Sequence, residues 1–286
     1  MAKLKDTEII GTLATTGNVS VTGNLGVIGT LGAGNTSITG TLATTDNITQ
    51  KYSSRVVMDS QKWANDFFFG NAANFDHWYG GAIGTGGTLA TGISGQADAN
   101  HIGVVPLKSG TGADSGYYVL TNTSQFVLSG GEKTRAIFKI PASFIDAGNT
   151  LDSTLLFGFV NTTTATIGAQ SALIRVKSTA GGTANLTAYT YNGANTSNSA
   201  GAGTISNLTA NTWYNAVITV NSAYNSILFE ITSTINSAPL WSATITTNLP
   251  TTYTGHGVKC WNSGTSSIDL LYIDYMDLEI NRVLNR

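Results

Sequence analysis

Charge is scarce in this chain. Asp, Glu, Lys and Arg make up 10% of its 286 residues, against roughly 25% in an ordinary soluble domain. The formal net charge is −2, and the 14 Lys and Arg are scattered, with no run beyond the Lys3–Lys5 pair. A nucleic-acid-binding surface needs clustered basic side chains, so nucleic acid is not an expected partner. Cys260 stands alone, which excludes an intrachain disulfide. No stretch approaches the 18 or so apolar residues that a spanning helix needs, so no membrane insertion is expected. The first residues, Met1 to Glu8, hold no apolar segment, so no secretory signal is expected and the chain is read as made in a cytoplasm. A sustained 3.6-residue apolar period is also missing, which argues against long amphipathic helices.

What fills the space left by charge is Thr, Ser, Asn and Gly, together with β-branched and aromatic residues. Hydrophobic residues reach 41%. Disordered chains usually combine high net charge with few such residues, so the composition implies an ordered, β-rich protein. Its surface is wetted by hydroxyls and amides rather than ions.

Residues 11–50 form a repeat. Gly11, Gly17, Gly23 and Gly29 are spaced by six, Gly40 follows after eleven, and Asp46 stands where the next glycine would fall. Thr-Leu-Ala-Thr-Thr occurs at both 12–16 and 41–45. Short periods of β-prone residues punctuated by glycine belong to β-helices and related fibres. Ordering six residues costs roughly 6–12 kcal/mol in backbone entropy. The two apolar side chains of each unit return only roughly 1.5–3 kcal/mol each. Residues 11–49 give barely two coils of a single-chain helix, too few to stand alone. Three chains wound together would pair every strand edge and bury Val19, Val21, Leu25 and Val27 on a shared axis. The residue balance thus implies a homotrimeric shaft over 1–52; a low-complexity linker is the other open reading.

From Ser53 onward the text changes to period-2 runs. Ala136, Phe138 and Ile140 alternate with Arg135 and Lys139; Tyr214, Ala216, Ile218 and Val220 alternate with Trp213, Asn215, Val217 and Thr219; Ile227, Phe229 and Ile231 follow after a hairpin-length gap. Further strands are expected at 153–160, 171–178, 184–191, 239–247, 257–261 and 267–281. Many short strands with polar turns imply an all-β, antiparallel β-sandwich over 53–286. Seven glycines between 80 and 95 read as a long loop or a bulged edge.

Several phrases carry a family resemblance. Gly17-Asn-Val-Ser-Val-Thr-Gly-Asn-Leu25 is similar to the repeats of bacteriophage tail-fibre and appendage proteins. Asn100-His-Ile-Gly-Val-Val-Pro-Leu-Lys-Ser-Gly-Thr111, Ala210-Asn-Thr-Trp-Tyr-Asn-Ala-Val-Ile-Thr-Val220 and Ile273-Asp-Tyr-Met-Asp-Leu278 resemble recurrent phrases of phage structural proteins. Such proteins carry a concanavalin A-like, or laminin-G-like, jelly roll. The resemblance implies a jelly-roll head behind a trimeric β-repeat shaft. It also implies a place in the virion as part of a tail fibre or spike, and binding to host cell-surface polysaccharide or to other virion proteins. A capsid decoration or head fibre and a cellular adhesin are alternatives, the missing export signal counting against the adhesin.

Candidate chemistry is sparse. Asp76-His77-Trp78-Tyr79 gathers a carboxylate, an imidazole and two aromatic rings, the make-up of a glycan contact; a buried Trp with a satisfied His is the competing reading. A polysaccharide depolymerase would need two carboxylates facing one cleft. In one glycosidase family of this fold, three carboxylates alternate along a strand. Asp277 and Glu279 fit, but strict alternation sends Asp274 to the opposite face. No catalytic residue is therefore assigned. His77, His101 and His256 show no zinc spacing. Calcium could be held by Asp98, Asp114 or Asp269, though no Asp-rich loop is present, and no cofactor is expected. Cys260 beside Trp261 reads as a small buried hydrophobe.

Overall fold

The computed structural model describes residues 60–65, 78–89, 101, 104–145, 152–179, 183–234 and 238–281, with 60–65, 179 and 281 given by backbone alone. All belong to one compact unit that begins at Val57. The repeat expected to form a shaft over 1–52 lies outside the described residues, as do Asp76 and His77.

In chain order the strands are β1 (Ser60–Asn65), β2 (Tyr79–Ile83), β3 (Thr88–Leu89), β4 (Val105–Lys108), β5 (Ser115–Leu120), β6 (Glu132–Lys139), β7 (Ser153–Val160) and β8 (Gln170–Thr179). Then follow β9 (Thr183–Asn192), β10 (Thr196–Ser199), β11 (Ala202–Gly203), β12 (Trp213–Val220), β13 (Ile227–Ser233), β14 (Pro239–Ile245), β15 (Gly255–Asn262) and β16 (Asp269–Asn281). One helical turn, α1 (Ala142–Ile145), separates β6 from β7. Among the described residues no helix is long and apolar enough to cross a membrane.

The strands form two antiparallel sheets, the antiparallel β-sandwich that the alternation implied. One runs β11-β14-β13-β12-β6-β16-β4-β3, with β1 also paired to β16. The other has seven strands in the order β10-β9-β8-β7-β15-β5-β2. The period-2 sequences explain the packing. Tyr214, Ala216, Ile218 and Val220 of β12 turn inward, as do Ile227, Phe229 and Ile231 of β13, to meet Phe157, Ile174, Leu186 and Val258 of the facing sheet. Each such aliphatic or aromatic side chain contributes roughly 1.5–3 kcal/mol on burial, so this double row is the main source of stability. A void between the sheets, lined by Phe138, Leu155, Phe157 and Met276 among others, measures about 10 Å³. It is apolar and barely the size of one water, so it is no ligand chamber.

The glycine-rich stretch is only partly a loop. Gly80 and Gly81 lie in β2, at the edge of the seven-stranded sheet, and Gly84 and Gly86, both at positive φ, turn the chain back into β3. The reason is steric. A Cβ on Gly81 would lie 2.3 Å from the Tyr118 Oη, because the tyrosine ring leans over the bare backbone.

Candidate functional site

Trp78 and Tyr79 are adjacent, and strand geometry sends them to opposite sides. Trp78 is 1% exposed and belongs to the core between the sheets. Its indole N–H donates to His256 Nδ1 at 3.3 Å. Because indole can only donate, Nδ1 must be the acceptor, which puts the imidazole proton on Nε2. Nε2–H then donates to Thr134 Oγ1, whose own hydroxyl donates to the Asp277 carbonyl at 2.8 Å. The chain of donors is complete, and burial holds His256 neutral, its pKa pulled down to about 3. Trp78 is thus a structural residue, not a surface for sugar: its ring faces are covered by the core. Tyr79, in contrast, is 57% exposed.

Tyr79 opens the outer face of the seven-stranded sheet. The register places four outward rows across it. Tyr79, Leu120, Gly257, Gly158, Leu173 and Tyr189 form one, and Gly81, Tyr118, Lys259, Leu156, Arg175 and Thr187 the next. A small second core forms on this side from Ile83, Leu120, Leu156, Val160, Leu173 and Trp261, with Tyr118, Tyr189, Ala165 and Ile167 against it. Ala165 and Ile167 come from the β7–β8 loop, which folds back over the sheet as a ridge.

Lys259 holds that ridge in place. It is buried, and its ammonium donates to the carbonyl oxygens of Thr162, Thr164 and Thr166 at 3.1, 3.0 and 2.5 Å. Three carbonyl dipoles replace the water a buried cation loses. Desolvation still draws its pKa down to about 7. With their carbonyls turned down onto Lys259, the three threonines join hydroxyl to hydroxyl, Thr162 to Thr164 at 2.8 Å and Thr164 to Thr166 at 3.1 Å. Asn161 Oδ1 accepts from the Gln170 amide and closes the base of the loop. The result is a hydroxyl ridge with Tyr79 and Tyr118 on one flank and Arg175, Tyr189 and Tyr191 on the other.

The carboxylates considered for hydrolysis lie on the outer face of the other sheet. A bulge between Ile273 and Tyr275 corrects the strict alternation expected of β16. The extra residue turns Asp274 to the side of Tyr275 and Asp277. There its carboxylate meets His101 Nδ1 at 2.9 Å, and the His101 ring stacks on Trp213 with centroids 4.0 Å apart. Asp277 accepts from Tyr275 Oη at 2.8 Å and pairs with Arg135 at 3.4 Å. The acid oxygens are thus engaged by neighbouring side chains. Among the residues considered for calcium, Asp269 is taken by Lys108 at 3.0 Å and by Tyr272 Oη at 2.6 Å. Asp114 is exposed at positive φ, and Asp98 lies outside the described residues. Among the described residues no three His, Cys, Asp or Glu side chains gather as a metal set. Cys260 is buried, with burial pushing its thiol pKa up, as a small core residue would be.

The sequence profile of the SO2946-like C-terminal domain matches residues 100–274, more than half of the chain. The chain belongs to the SO2946-like C-terminal domain family. The matched span runs from His101's neighbour Asn100 to Asp274, so it takes in the threonine ridge and Arg175 but begins after Tyr79. A crystal structure of SO2946 from Shewanella oneidensis MR-1, described as a protein of unknown function, has the same fold. Its TM-score is 0.57 at 17% identity, covering 79% of this chain and 89% of that one. The carbohydrate recognition domain of Emp47p matches at a TM-score of 0.49 and 12% identity, over 82% of this chain and all of that one. The CBM2 module of the evolved Dit of Lactobacillus casei BL23 phage J-1 matches at 0.46 and 15%, over 79% and 98%. No curated protein matches the chain in sequence.

Proposed function

We propose that this SO2946-like chain is a non-enzymatic glycan-binding protein of a phage tail fibre or spike, and that the outer face of its seven-stranded sheet holds a host cell-surface polysaccharide. The observation that carries the reading is that face itself. An exposed tyrosine, a second tyrosine laid over glycine, and a ridge of linked threonine hydroxyls lie side by side on a rigid sheet. Sugars present apolar C–H faces and rings of hydroxyls. Aromatic rings complement the first, and hydroxyls that both donate and accept complement the second. Rigid strands under the contacts keep the ordering cost of binding low.

The N-terminal repeat supports the rest of the proposal. Three heads on one shaft would raise avidity over a single weak site by roughly 10²–10⁴. The protein would work in the virion, without a cofactor, beside other virion proteins. Tyr79→Ala and Tyr189→Ala each remove a ring from one flank. Each is expected to weaken polysaccharide binding about tenfold, or ~1.4 kcal/mol, with thermal unfolding unchanged in Tyr79→Ala and lowered in Tyr189→Ala, whose ring packs on the second core. Glycan-array screening followed by titration calorimetry measures this. Full affinity in both variants would sink this placement of the site.

A further inference from the structure

We infer that the polysaccharide bound on this face carries an acidic group, and that Arg175 is the residue that reads it. The inference rests on the outer-face reading above and adds the chemical class of the ligand.

The cations of the described residues sort by what satisfies them. Lys108, Arg135 and Lys177 each pair with a carboxylate. Lys139 lies over the Trp213 and Tyr272 rings. Lys259 has its three carbonyls, and Lys133 is exposed to water. Arg175, like Lys139, has a ring contact, and it has none of the other partners. It sits half-buried in mid-strand on β8, and among the described residues no carboxylate or carbonyl meets its guanidinium. Its Nε is shut off from solvent with no hydrogen-bond partner. What it does have is an orienting surface: the guanidinium lies over the Tyr189 ring, 4.6 Å from its centroid.

A guanidinium that has shed part of its water and gained no acceptor is an unfilled site. Its planar fork matches a carboxylate in two parallel hydrogen bonds, and a ring beneath it fixes the plane in advance. The surroundings agree in sign. The outward positions of the seven strands carry Arg175, Lys177 and Lys259 and no Asp or Glu; of the two acids that directly precede strands of this sheet, Asp152 is held by Lys177 at 2.6 Å and Asp114 is exposed before β5. Lys259 lies on the same row as Arg175, with only Leu156 between them. An anion approaching Arg175 therefore meets its guanidinium and no repelling carboxylate on these strands, in a protein whose net charge of −2 gives it no general attraction for polyanions. The tyrosines and threonine hydroxyls alongside suit the sugar ring that bears the acid.

The test uses the full chain and matched polymers: polygalacturonate, hyaluronan, alginate and polysialic acid, each native and carboxyl-reduced, with dextran and mannan as neutral members. At least one native acidic polymer is expected to bind tenfold or more tightly than its reduced form. Arg175→Gln should abolish that difference while leaving the reduced polymer's affinity within about twofold, with an unchanged unfolding temperature. Arg175→Lys should fall between, since it keeps the charge and loses the fork. Lys133→Gln, which removes an exposed cation from the other sheet, should leave the preference intact. Equal affinity for native and reduced polymers, or a preference that survives in Arg175→Gln, overturns the inference. Binding confined to neutral polymers overturns it too but leaves the glycan reading standing. No binding across the whole panel removes both.

Discussion

His256 shows how a single side chain can make the sandwich acid-sensitive. Its ring lies between the sheets, within about 6 Å of the Trp78, Phe157 and Phe159 ring centroids, and both nitrogens are committed. Adding a proton at Nδ1 would set N–H against the Trp78 N–H in a dry core. The folded pKa, about 3, lies below the unfolded value near 6.5. Between those values the unfolded chain binds the extra proton and the folded chain does not. Stability should therefore fall as pH drops from 6.5 towards 3, by about 1.4 kcal/mol per pH unit from this group. Denaturant titrations at pH 7, 5.5 and 4.5 measure the slope. In His256→Gln the protein should be less stable at pH 7 but the slope shallower; an equally steep slope would assign the acid loss to other groups. The sequence put Trp78 beside a histidine, His77, and a buried Trp with a satisfied His was one of its two readings. The histidine that satisfies it is 178 residues away, a pairing that only the folded sheets create.

At the level of elements, the threonine ridge depends on one lysine. Lys259→Met keeps most of the apolar stem and deletes the charge, so three carbonyls lose their donor. Charge-assisted hydrogen bonds contribute roughly 1.5–3 kcal/mol each. Part of that returns when the loop lifts and its carbonyls find water, because Thr164 and Thr166 already lie at the surface. A net loss of about 2–4 kcal/mol is expected, together with faster amide exchange across 161–169 and little change in β7 and β8. An unaltered exchange rate in that loop would mean the apolar contacts of Ala165 and Ile167 hold it instead. Strands were the most legible part of this protein. The expected run 153–160 coincides with Ser153–Val160, and 171–178, 184–191 and 239–247 fall within two residues of β8, β9 and β14. Alternating apolar residues reveal a half-buried strand directly. Two features escaped that logic for physical reasons. β2 has glycine at two of its five positions, so it shows no alternation, and the tyrosines that lean over those glycines are on β5. The bulge at Asp274 adds one residue to β16, which a period of two cannot register.

For the whole molecule, the two candidate surfaces differ in kind. Asp269, Asp274 and Asp277 on the outer face of one sheet are tied into hydrogen bonds and ion pairs, a surface that satisfies itself. The outer face of the other offers tyrosines, threonine hydroxyls and, among the described residues, Arg175, a cation with neither a carboxylate nor a carbonyl on its guanidinium. Neither the ridge nor Arg175 was readable beforehand: both exist because β15, β7 and β8 are neighbours in a sheet while far apart in the chain. A weak, open site of this type becomes effective only when several are presented together, and that places weight on the repeat before Ser53. Light scattering of the intact chain should give three times 29.8 kDa. A chain starting at Ser53 should be a monomer that binds the same polysaccharide at least about a hundredfold more weakly to a dense surface, since the effective-concentration gain of three linked sites is lost. Two monomers would make the repeat a linker and remove the multivalent argument. Two trimers would move assembly into the sandwich, and the affinity difference between the chains should then vanish.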